Sequence, residues 1–206
     1  MLTRREYFEN IASTWEREHE KAGADCGLAE LAKRFDLRPG NKVLDAGCGS
    51  GRLLPYLLKA VGQRGLVVAA DFAFQMVDRA RKKLAAPNLI FLQADVTRMP
   101  LADNFFDRII LLALFPHLPQ KAQALEEFYR LLKPGGKIFI AHTASRKEIN
   151  QFHARLAYPI CEDLLPEEEE KERLFSPPVS NLLSLSIIRI FILWRAERSE
   201  EAYLFS

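Results

Sequence analysis

The ten residues Val43–Arg52, VLDAGCGSGR, restrict the possible folds of this chain more than any other stretch. Val43 and Leu44 read as the end of a buried strand, and Gly47, Gly49 and Gly51 follow at every second position. Glycine reaches backbone angles closed to other residues and lets a ligand lie against the main chain. The apolar run LLPYLLKAVG after the glycines reads as a helix. A strand, a glycine turn and a helix in that order build a nucleotide site at the carboxyl edge of an open α/β sheet. The spacing narrows the ligand. A dinucleotide fingerprint places its third glycine where this chain has Arg52, so the pattern is GxGxG and points away from NAD toward another adenosine compound.

Strand and helix patterns alternate beyond this point. Strands are expected at 42–46, 65–70, 88–93, 105–112 and 136–142, with helices at 51–61, 74–85 and 120–132. Such alternation predicts a parallel sheet covered by helices on both faces. Lys133-Pro134-Gly135-Gly136 ends the last of these helices and turns the chain into the fifth strand. Ahead of the core, Thr3 and Glu6 have capping-box spacing, and Tyr7, Phe8, Ile11 and Trp15 share one helical face. A second helix carries Leu28, Leu31, Ala32 and Phe35 and stops at Leu37-Arg38-Pro39-Gly40. Ser145 and Glu148 open a further helix to about Leu156, and Pro166 with the acids after it starts another. Residues 179–196 are β-like without a glycine or proline to mark a turn, which fits one long strand or two. The expectation is one domain over 1–206, with a helical cap (1–38), a core (39–143) and a substrate-side segment (144–206).

Charge and cysteine usage exclude several classes. A net charge of +2, from 29 basic and 27 acidic residues, gives no electrostatic case for nucleic acid. The three cysteines lack metal or redox spacing and suit a reducing cytoplasm. The amino terminus carries no signal-type apolar core, and Val179–Trp194 is interrupted and short of the roughly 20 residues that span a bilayer. A cytoplasmic protein without membrane partners is expected, with its oligomeric state open.

VLDAGCGSG, the acid ending VVAAD, QADVTRMPLADNFFD and RLLKPGGKIFIAH occur in order, and together they resemble the class I S-adenosylmethionine-dependent methyltransferases of the small-molecule type. The resemblance covers about residues 7–143. It implies a Rossmann-like, doubly wound, mostly parallel seven-stranded sheet with a helical cap. It also implies S-adenosylmethionine as cofactor, S-adenosylhomocysteine as product and a small-molecule methyl acceptor. By similarity, Gly47, Cys48, Gly49 and Gly51 pass close to the cofactor's tail and ribose, and Asp45 anchors its methionine end. Asp71, 24 positions after Gly47, accepts the ribose hydroxyls. Asp95 and Val96 recognise the adenine, Phe72 and Met76 line its other side, and Tyr7 and Trp15 cover the site. The fourth strand ends at Leu112, where many relatives are polar, and it lacks the NPPY-type sequence of nucleic-acid base methyltransferases.

Methyl transfer needs alignment above all, and a base only where the acceptor must lose a proton. His117, in LFPHLP after the fourth strand, and His142, ending the fifth, are the candidate catalytic histidines. His153 could join them in a base or metal cluster, although the spacing matches no metal motif, and no metal is assigned. Two alternatives stay open: an NAD(P)-linked oxidoreductase, and a non-catalytic domain that binds the cofactor.

Overall fold

The computed structural model describes residues 1–21, 27–175, 189–193 and 202–205. In chain order the elements are α1 (Arg4–Lys21), α2 (Leu28–Lys33), β1 (Lys42–Ala46), α3 (Leu54–Val61), β2 (Leu66–Asp71), α4 (Phe74–Lys83) and β3 (Leu89–Gln93). There follow β4 (Phe106–Leu112), α5 (Lys121–Leu131), β5 (Leu132–Ala141), α6 (Arg146–His153), α7 (Glu168–Phe175), β6 (Arg189–Leu193) and β7 (Ala202–Phe205). Short 3₁₀ turns at Phe115–His117 and Ile160–Glu162 complete the set.

Strands β1 to β5 pair in parallel in the order β3-β2-β1-β4-β5. Beyond β5, β6 adds in parallel and β7 pairs with β6 in the antiparallel sense. β6 falls within the β-like stretch 179–196, whose other residues lie outside the described ones, as do Cys26 and the side chains of Trp15 and His19. The expected first four strands appear within a residue or so. The fifth begins early, at Leu132, which pairs with Phe106 before a register shift precedes the Arg108–Lys137 pair.

Each central strand divides its side chains between two cores. Leu44, Val68, Ile109 and Ile138 face one side, packed with Leu125, Phe128 and Leu131 of α5. Their neighbours Val43, Val67, Ile110 and Phe139 face the other, packed with Phe35 and with Leu54, Leu57 and Val61 of α3. Burial on both faces is the condition under which parallel strands are stable. The predicted helix at 51–61 starts only at Leu54, because residues 51–53 complete the turn and Pro55 sits in the first helical turn. Both capping boxes form: Glu6 with Thr3, and Ser145 with Glu148.

Candidate functional site

The sequence runs outward from β1 through β2 to β3, then returns to place β4 on the other side of β1. That reversal leaves a crevice at the carboxyl ends of β1 and β4, the position at which open α/β sheets bind ligands. A cavity of about 220 Å³ lies there. Its wall takes residues from the ends of β1, β2, β3 and β4, and from α1. The amides of Gly47 and Cys48 both donate to the Ala70 carbonyl, at 2.8 and 2.9 Å, which ties the glycine turn to β2. Gly47 has φ 70°, and a methyl group there would come within 2.7 Å of Leu114. Gly49 lines the cavity, whereas Gly51 packs toward Ala80 and Leu54 and lies off the wall.

Two buried carboxylates dominate the electrostatics. Asp71 is 7% exposed; its Oδ2 accepts from the Gly49 amide and its Oδ1 from the Ala73 amide, both at 2.9 Å. Burial pushes its pKa up to about 6 against the opposing pull of those amides. Asp45 is 1% exposed, and its Oδ2 has no hydrogen-bond partner among the described residues. Burial first, and the Asp71 charge second, push it up to about 7. A buried carboxylate oxygen without a donor, on the wall of a cavity, is incomplete and calls for a cationic or hydrogen-bonding ligand. The nearby Ser50 Oγ is buried and likewise without a partner among the described residues. These residues fit a cationic adenosyl compound. The Cys48 thiol is driven well above its ordinary pKa by burial and by Asp45 and Asp71, so it is a small protonated filler.

Asp95 is exposed at the end of β3 and turns Oδ1 back to the amide and hydroxyl of Thr97, at 2.9 and 2.8 Å. Val96, Phe72, Met76 and Leu112 lie on the wall. Of the first-helix aromatics, Phe8 lines the cavity, while Tyr7 packs edge-on against Phe8 at 5.5 Å. Arg4 also reaches the wall.

How the cap is attached was not visible in the sequence. Ala73 precedes α4 without a capping side chain. Glu9 of α1 supplies the cap instead: its two oxygens accept from the Phe74 and Gln75 amides, each at 2.7 Å. A carboxylate on a helix amino terminus answers both the free amides and the helix dipole. The same contact fixes α1 beside Asp71.

The three histidines named above do converge. His117 lines the cavity, its ring lies 4.9 Å from that of His153, and its Nδ1 is 2.7 Å from Asp163 Oδ2. Arg4 Nε donates to the other oxygen, Asp163 Oδ1, at 2.6 Å. His153 Nδ1 bonds to the Asp163 carbonyl. His142 is 3% exposed and off the wall, and burial, then His117 and His153, hold it down to about 3. Among the described residues no group of three or more histidines, cysteines or carboxylates is disposed to hold a metal. Arg4 and Asp163 were absent from the sequence-based site: Asp163 lies 46 residues from His117 in a segment without a motif.

The family described as "Methyltransferase domain" matches residues 44–140. The ubiquinone/menaquinone biosynthesis C-methyltransferase UbiE of Stutzerimonas stutzeri is 31% identical over 170 residues, which is 78% of this chain and 65% of the relative. The chain spans about half the length of other curated relatives it matches, such as the Vibrio cholerae UbiE proteins, at 47%. A SAM dependent methyltransferase from Aquifex aeolicus has 32% identity and a TM-score of 0.58, over 71% of this chain and 76% of that one. The methyltransferase in complex with the Trm112 methyltransferase activator of Haloferax volcanii has 25% identity and a TM-score of 0.69, over 84% of this chain and 76% of that one.

Proposed function

The chain belongs to the class I S-adenosylmethionine-dependent methyltransferases, and from that premise we propose that it methylates a small molecule in the crevice at the carboxyl ends of β1 and β4. The observation that carries this reading is the pair of buried carboxylates, Asp45 and Asp71, flanking the glycine turn, with Asp45 Oδ2 lacking a partner among the described residues.

In this reading Asp71 binds the ribose hydroxyls, which can add to the two amide donors it already holds. Asp45 neutralises the positive end of the cofactor. Asp95 and Val96 hold the adenine, with Phe72 and Met76 against its other side. Gly47, Cys48 and Gly49 line its tail, Gly51 keeps the turn close to α4, and Leu112 borders the methyl. Tyr7 and Trp15 belong to the cap, Tyr7 acting through Phe8. S-adenosylmethionine supplies an electrophilic methyl group, and the protein's part is to orient both reactants and exclude water. Near-attack alignment of this kind is worth roughly 7–11 kcal/mol in favourable intramolecular models. The +2 net charge offers nothing to a polyanion, which favours a small-molecule acceptor. The sheet closes with β6 and β7 as the sixth and seventh strands of the family fold.

Thermal shift with S-adenosylmethionine, S-adenosylhomocysteine and NADH tests the reading. Stabilisation by the first two and not by NADH is expected; stabilisation by NADH alone would return the chain to the dinucleotide class. No helix among the described residues is long and apolar enough to cross a membrane, and we place the enzyme in the cytoplasm.

A further inference from the structure

We propose that His117 is the general base of the transfer, set in one tautomer by Asp163, which Arg4 holds in place, and that the acceptor is a phenol or enol. This rests on the methyltransferase reading and names the acceptor class for that same cavity.

His117 lines the same cavity as Asp45 and Asp71, on the short 3₁₀ turn whose Pro116 and flanking Pro119 stiffen the loop. Phe8 packs edge-on against its ring at 5.0 Å and fixes its plane. Asp163 is 2% exposed, so its charge needs partners. Among the described residues it has two, Arg4 Nε on Oδ1 and His117 Nδ1 on Oδ2. An ionised carboxylate only accepts, so Nδ1 carries the hydrogen and Nε2 carries the lone pair. A carboxylate that orients an imidazole in this way and stabilises its protonated form is the supporting half of a general-base pair. The other two histidines are unsuited. His142 and His153 both lie off the cavity wall, so neither ring borders the space an acceptor would fill. His142, just past β5, and His153 of α6 are its imidazole neighbours, both held below the ordinary histidine value chiefly by burial, and the charged groups near the pair among the described residues include Arg4 of α1, Lys121 of α5 and Glu170 of α7.

A base of this kind matters most for one sort of acceptor. A thiol is partly ionised near neutral pH, and a neutral amine already has its electron pair. A phenolic hydroxyl, with a pKa near 10, is only about one part in a thousand ionised at pH 7. In the step, the hydroxyl proton passes to His117 Nε2 and leaves an anion. The anion's electron pair forms the bond to the methyl carbon as the carbon–sulfur bond breaks, and that bond's pair goes to sulfur. The imidazolium then returns its proton to water. Asp163 and Arg4 touch no reacting atom in this scheme; they position His117.

Three measurements on the full chain test this. ¹⁵N NMR of histidine-labelled protein should show His117 as the Nδ1–H tautomer, and Asp163→Asn should shift it toward Nε2–H. Calorimetry with S-adenosylhomocysteine should give affinities within about twofold for the parent, His117→Asn and Asp163→Asn proteins. With S-adenosylmethionine and a series of substituted phenols as probes, both variants should lose about 10²–10⁴-fold in transfer below the phenol's pKa. Most of that loss should vanish above the phenol's pKa, where the anion forms unaided. An Nε2–H tautomer in the parent, or a loss independent of phenol pKa, overturns the base. No transfer to any phenol by a parent that binds S-adenosylhomocysteine overturns the acceptor class. Failure of the parent to bind S-adenosylhomocysteine instead removes the methyltransferase reading beneath it.

Discussion

Asp45→Asn separates the stability of the fold from the needs of the site. In the ligand-free protein the Asp45 carboxyl sits near 7, lifted by burial and then by Asp71, against an ordinary aspartate value of 3.8. A folded-state pKa raised in this way adds stability below about pH 4 that is lost progressively as pH rises to about 7. At pH 8 the ionised Asp45 is therefore a cost to the empty protein, of about 4 kcal/mol at most. Asparagine keeps the shape and removes the charge, so the variant should melt higher than the parent at pH 8 and no higher at pH 4. Cofactor binding should respond in the opposite direction. With a pKa near 7, Asp45 is about nine-tenths ionised at pH 8 and about one-tenth at pH 6. Affinity of the parent for S-adenosylmethionine should fall about tenfold over that range, with release of about half a proton on binding at pH 7. Calorimetry in two buffers of different ionisation enthalpy reads the proton directly. Asp45→Asn should bind weakly at pH 8 and lose the pH dependence above pH 7. A variant that binds as tightly as the parent, with the same proton release, would refute the assignment of Asp45 to the cofactor's positive end.

Further expectations concern the cap and the turn. Glu9→Ala removes both carboxylate contacts to the α4 amides; about 1–2 kcal/mol of lost capping predicts a melting point lower by about 2–8 °C. Because α1 also covers the cavity, affinity for S-adenosylhomocysteine should weaken together with the melting point, and an unchanged value for both would show that Glu9 is no latch. Gly47→Ala combines a left-handed backbone with a methyl group 2.7 Å from Leu114. Strain of about 1–3 kcal/mol is expected, and the displaced Leu114 should narrow the cavity; calorimetry showing parent-like cofactor affinity would contradict the tight fit.

The parts of the fold that were legible in the sequence are those written in local chemistry. Val43 and Leu44 took opposite faces of β1 because parallel strands bury both. Thr3 with Glu6 and Ser145 with Glu148 formed their capping boxes because three-residue spacing brings side chain and amide together without help from elsewhere. The glycine turn and the placement of Asp71 at a strand tip were legible for the same reason. What stayed hidden was long-range. Ala73 offers α4 no capping side chain, and the cap comes from Glu9, 65 residues from Phe74. Asp163 sits in no motif, so nothing local marked it as the partner of both Arg4 and His117. His142 shares its strand-end position with true wall residues, yet it is buried behind the wall. Strand-end position shows where a residue sits in the sheet, but not whether its side chain reaches the cavity.

The most direct measurement is a crystal structure of the protein with S-adenosylhomocysteine bound. The ribose hydroxyls should lie within hydrogen-bonding distance of the Asp71 carboxylate and the amino-acid tail should run along Gly47–Gly49 toward Asp45. Density for the nucleoside elsewhere, or a ribose turned away from Asp71, would contradict the assignment of this crevice as the cofactor site.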